Sequence, residues 1–218
     1  GAATRIAGDR DRRQSPKGPA NGAYPYRKNR PAPERGWNGG AVGLRFDTRQ
    51  ITIAGVLAAL TLVLGMTPLG FWHVPTLAGA VTIMHLPVIM AGILGGPAVG
   101  VAVGLIFGIL TMMQFWPYDP RVLIPARVLI GPVSFLIYRA LRSTVWGLPA
   151  AAVAGSAVNT VGTLGLAVVF GYIPFAGKEG ALGIALIHGV PEAIVSALVV
   201  TPIVLAVNRA MQRSRFRR

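Results

Sequence analysis

The sequence predicts an all-α membrane protein of six transmembrane helices. Three observations carry that prediction. Long apolar runs, almost free of charge, follow one another from Ile51 to Val207 and are separated by short Gly- and Pro-rich breaks. Only 13% of the 218 residues are charged against 53% hydrophobic, and the charges crowd into the first 49 residues and the last ten. In the middle, Met84 to Leu110 reads as a helical hairpin in which Gly95, Gly96 and Pro97 form the turn: glycine ends one helix and proline fits the first turn of the next.

Residues 1–49 are rich in Arg, Gly, Pro and Asn with hardly an aliphatic cluster, and read as a disordered basic cytoplasmic tail rather than a signal peptide. Residues 50–208 form the membrane domain. Its first helix, Ile51 to Met66, places Ala54 and Ala58 one turn apart with Gly55 and Ala59 beside them, a groove that faces another helix. Thr67 to Ala80, with Pro68, Gly70, Trp72, His73 and Pro75, is too broken for a helix and reads as an interfacial loop dipping toward the bundle. The second helix, about Val81 to Leu94, is short for a ~30 Å hydrocarbon core at ~1.5 Å per residue.

The third helix covers Ala98 to Phe115, and Gly96, Gly100, Gly104 and Gly108 recur along it at every fourth position, a ridge that suits close helix packing. Trp116 to Arg121 is a turn with interfacial aromatics, Trp116 and Tyr118. The fourth helix, Val122 to Leu141, is expected to be broken by Pro125 and Pro132. The fifth runs from Leu148 to Phe170, and the sixth from Leu182 to Val207, kinked or opened near Gly189 and Pro191. Residues 209–218 are a second basic tail.

Six spans put both termini on one side of the membrane. With the basic ends inside, Arg139 and Arg142 also fall inside, which makes the termini cytoplasmic. A net charge of +14 would suggest nucleic acid in a soluble chain, but basic ends on an apolar body address the membrane surface, and no nucleic-acid partner is expected. There is no cysteine, hence no thiolate chemistry or disulfide, and no metal site is expected. A phosphate-binding GxxxxGK[ST] loop, an HExxH pair and a plausible Ser-His-Asp set are all missing, so the chain does not read as an enzyme.

Topology gives each polar residue in the apolar body a depth. Arg127, Asn159, His188, Glu192 and His85 all fall in the outer half of the bundle. A charge near the bilayer centre costs roughly 2.5–3.5 kcal/mol on insertion scales, so Arg127 and Glu192 should face the protein interior. Two readings stay open: the two pair with each other, or they line an outward-open ligand site. In the second, Arg127 grips an anionic group while Glu192, Asn159 and His188 meet hydroxyls or amides. His85 reads as a packing histidine or a further wall of that site. The Trp72 loop and the Trp116–Tyr118 turn are candidates for its lid.

The runs MHLPVIMAGILGGPAVGVAVGLIFG and PARVLIG, the Asn159 region and HGVPEAIV together resemble the substrate-capture subunit, or S component, of energy-coupling factor (ECF) vitamin transporters, pantothenate-type members most of all. The resemblance implies a vitamin-binding subunit in a bacterial plasma membrane with no ATPase and no cofactor of its own. ATP and Mg would be used by two partner ATPase subunits, joined through a transmembrane coupling subunit that docks on Ala54, Gly55, Ala58 and Ala59. Riboflavin or folate are the alternative vitamins, with Trp72, Trp116 and Tyr118 stacking on a flat ring. A proton-coupled secondary transporter using Glu192 and His188 is the alternative from another class, although no internal repeat supports it.

Overall fold

The computed structural model describes residues 47–73, 80–114, 119–177 and 180–216, all within one compact unit, Leu44–Arg218. The tail at residues 1–46, the Trp116–Tyr118 turn and Lys178 and Glu179 lie outside the described residues. Among the described residues, the helices are α1 (Thr48–Met66), α2 (Leu86–Gly95), α3 (Pro97–Gln114), α4 (Pro120–Leu141), α5 (Gly147–Val169), α6 (Ala181–Ile184) and α7 (Val190–Phe216). A π-helical turn, Ala185–Gly189, joins α6 to α7, so the three make one spanning element. Five helical segments are long and apolar enough to cross a membrane, and α2 is the sixth, shorter apolar helix. This is the predicted all-α membrane bundle.

Its helices start and stop where local chemistry allows. Helix α1 begins three residues earlier than hydropathy suggests because Asp47 stands at its N-cap and donates its N–H to Gln50 Oε1. The Gln50 amide also donates to Gly95 O at 3.0 Å, tying the start of α1 to the end of α2. Gly96, at φ +94°, supplies the left-handed residue between α2 and α3 and donates to Gly92 O. Helix α4 continues through both Pro125 and Pro132 rather than breaking; missing N–H donors inside a membrane helix are offset by neighbouring helices. At the far end α7 extends to Phe216 where a tail was expected, since Arg, Met and Gln are good helix formers and basic residues suit a helix C-terminus.

The stretch between α1 and α2 departs most from an all-helical chain. A 3₁₀ turn (Pro68–Gly70) leads into β1 (Phe71–His73), which pairs antiparallel with β2 (Ala80–Thr82), Phe71 opposite Thr82. Helix α2 therefore starts at Leu86, later than the expected Val81. At ~1.5 Å per residue it covers about half of a ~30 Å core. Every residue of α2 except Leu94 is buried. A helix apolar on all sides belongs at the centre of a bundle, and α2 packs on α1, α3, α4, α5 and α7.

The glycine ridge settles on α4. A Cβ at Gly100 would lie 2.7 Å from Gly131 Cα and 3.1 Å from Gly92 Cα, so three helices meet backbone to backbone there. Gly104 stands against the Arg127 carbonyl, while Gly108 is only in ordinary contact with Ile124. Around this seam Val88, Ile89, Val99, Val103 and Ile130 are fully buried.

Candidate functional site

Arg127 sits on the face of α4 that α3 approaches most closely, and it is buried. Its guanidinium carbon lies 5.4 Å from the centroid of Phe107, a cation–π contact that suits a dry site. Nη1 donates to Thr163 Oγ1 on α5, and the Thr163 hydroxyl donates in turn to Asn159 O at 2.6 Å. The buried Arg127 Nε and Asn159 Oδ1 have no hydrogen-bond partner among the described residues. One turn of α5 thus carries the hydroxyl that meets the guanidinium and, four residues earlier, an unbonded amide oxygen, while the donors of Arg127 are only partly used.

Glu192, the second buried charge, is held from other directions. Its Oε1 accepts from the Thr82 N–H at 2.9 Å and lies 3.4 Å from the Thr82 hydroxyl; Oε2 accepts from Thr160 Oγ1 at 3.2 Å. The Glu192 carbonyl accepts from Ser196 Oγ at 2.7 Å, and Ser196 Oγ is 2.8 Å from His85 Nε2. Arg127 and Glu192 make no ion pair. At hydrogen-bonding distance Arg127 meets the Thr163 hydroxyl, whereas Glu192 meets the Thr82 N–H and the hydroxyls of Thr82 and Thr160.

The π turn explains how α7 reaches this geometry. Gly189 ends the turn packed on the Thr160 side chain, where a Cβ would come within 2.9 Å of Thr160 Cγ2, and Pro191 follows with no N–H to give. His188, also buried, belongs to the turn itself.

The structure therefore links Arg127 through Thr163 to the main chain of Asn159, and Glu192 through Ser196 to His85. The backbone of Trp72 lies in β1, and Trp116 and Tyr118 fall outside the described residues. On α1, Ala54 and Ala58 are half-buried against the core, whereas Gly55 and Ala59 are exposed and a Cβ on Gly55 would meet nothing within 4 Å. Thr82, Phe107, Thr163 and Ser196 were not among the expected site residues; the available signal was hydroxyl spacing, Thr163 one turn from Asn159 and Ser196 one turn from Glu192. An apolar cavity of about 510 Å³ between α5 and α7 is lined by Ala157, Ala193 and Leu198 among others, with Thr160 on its wall, and is separate from the Arg127 group.

No curated protein matches the chain. A family model described as "ECF transporter, substrate-specific component" matches residues 49–204, more than two thirds of the chain and every residue of the site. The multi-pass helical bundle agrees with that match, and the chain belongs to the family of substrate-specific components of ECF transporters.

Proposed function

We propose that this chain is the vitamin-binding S component of an ECF-type ABC importer, taking up pantothenate or a similar small carboxylated vitamin. The observation that carries this reading is the unused capacity at one place. A buried guanidinium has no carboxylate partner within ion-pair distance among the described residues and its Nε is unbonded, and Asn159 Oδ1, one turn of α5 from the Thr163 that Arg127 bonds, is unbonded as well. Arg127 takes the vitamin carboxylate and Asn159 takes a hydroxyl or amide hydrogen. Phe107 packs its ring against the guanidinium.

On this reading both termini are cytoplasmic, the membrane is the bacterial plasma membrane, and two ATPase subunits act through a transmembrane coupling subunit. Gly55 and Ala59 are the outward pair of the small-residue groove and form the contact with that subunit. Bulky replacements at Gly55 and Ala59 should abolish uptake and leave vitamin binding intact.

The test is mass spectrometry of the ligand that co-purifies with the detergent-solubilised chain, beside Arg127→Ala. Pantothenate in the wild type and its loss from the variant support the proposal. A co-purified flavin or folate redirects the site to a ring-stacking vitamin. No ligand, with thermal stability indifferent to added vitamins, overturns it.

A further inference from the structure

Thr82 to His85 is the joint between the ribbon and α2, and α7 pins it at both ends. Thr82 is the last residue of β2, which among the described residues pairs with β1 alone, and its N–H is turned toward α7. A partly buried strand edge leaves an N–H that needs a partner. The Glu192 carboxylate closes it through Oε1, while Oε2 holds Thr160 on α5. One turn on, Ser196 bridges the Glu192 carbonyl and His85, the N-cap of α2. All these polar contacts follow directly on the π turn.

Both Glu192 oxygens are therefore already bonded to the protein, on two different elements. We propose that Glu192 is a positioning residue: it fixes the Thr82–His85 joint and Thr160, the chain neighbour of Asn159, against α7, and it does not touch the ligand. The proposal rests on the vitamin-binding reading only for its ligand arm. A glutamine in its place keeps the geometry, because Oε1 still accepts from Thr82 and Nε2 donates to Thr160 Oγ1. An alanine keeps neither bond.

The experiment uses the full chain in lipid nanodiscs, with pantothenate as probe and amide hydrogen exchange followed in the peptide spanning Thr82 to His85. Glu192→Ala should raise that exchange and speed pantothenate dissociation about tenfold, the loss of hydrogen bonds to a charged group. Glu192→Gln should leave exchange as in the wild type and affinity within about threefold. Arg127→Ala should lose pantothenate while exchange at the joint stays unchanged. If Glu192→Gln loses as much affinity as Glu192→Ala with exchange unaltered, Glu192 contacts the ligand and the proposal fails. Should the wild type bind no pantothenate, the vitamin reading falls, yet exchange still decides: a rise in Glu192→Ala and not in Glu192→Gln supports positioning, and no rise overturns it. Thr160→Val removes one bond alone and serves if Glu192→Ala does not fold; a smaller rise in exchange is expected, and none would count against the proposal.

Discussion

The two halves of the bundle are held together by different means. Where α2, α3 and α4 meet, Gly92, Gly100 and Gly131 let backbones touch, and almost nothing polar is involved. Where α7 meets α5 and the ribbon, side-chain hydroxyls and one carboxylate make the joints: Thr82, Thr160, Ser196 and Glu192. Backbone contact leaves no room for adjustment, while hydrogen-bonded side chains can exchange partners. The difference teaches where a ligand can enter the accounting. Arg127 is rooted in the rigid half and reaches across to Thr163 in the adaptable one.

The contrast breaks most severely at the glycine seam. Gly131→Leu or Gly100→Leu must push backbones apart, at a cost of about 3 kcal/mol or more. Thermal unfolding in detergent should show a large drop or no folded monodisperse protein. A normal melting temperature would mean that the three helices are not in contact. Next comes the polar half: Ser196→Ala strands a ring nitrogen of a histidine that is 1% exposed, for about 1–3 kcal/mol. The same melting assay reads it, and an unchanged midpoint would remove Ser196 from the joint.

Two smaller changes sharpen the comparison. A Cβ placed on Gly165 would have nothing within 4 Å, so Gly165→Ala should stabilise by about 0.5–1 kcal/mol, the reverse of the seam glycines. A loss of stability would show that α5 needs that glycine for close approach. The smallest effect belongs to Tyr172, which is 57% exposed and donates to Asp119 Oδ2 at 3.1 Å. That bond, with the carboxylate beside it, raises the phenol's pKa above its ordinary value. Tyr172→Phe should leave the melting midpoint where it is, as surface substitutions do. In the wild type the phenol's absorbance transition should fall at higher pH than in Asp119→Asn, the variant with the charge removed; coincident titrations would exclude the contact.

Much of the fold is legible in the sequence because hydropathy and Gly–Pro punctuation report on lipid exposure, and lipid exposure is what sets the long helices. Gly189 and Pro191 mark the irregularity in the sixth span for the same reason. The ribbon is less legible, because a three-residue strand has no periodicity to detect. The hydroxyl partners are hidden by a different ambiguity. Thr61 and Thr111 simply bond back to Leu57 O and Phe107 O in their own helices, and nothing in their neighbours distinguishes them from Thr163, which makes such a bond and also receives Arg127. Arg127 and Glu192 stand out as charges in apolar runs; which hydroxyls and N–H groups they meet is a property of three dimensions only.

The π turn has one more consequence, for helical phase. Leu182, Leu186, Val190, Ile194 and Leu198 are all at least half exposed, at strict four-residue spacing. In an unbroken α-helix, residues sixteen apart point about 160° away from each other, so Leu182 and Leu198 would sit on nearly opposite faces. The wider turn takes back part of that rotation and keeps the stripe together. Deleting one residue from Ala185–Gly189 would return the wide turn to ordinary α-helix: Leu182 and Leu198 would then stand fifteen positions and about 60° apart, so the stripe would hold and Glu192 would keep its side of the helix. Hydropathy does not register the extra residue, and the wide turn is what lets the span carry it without losing phase.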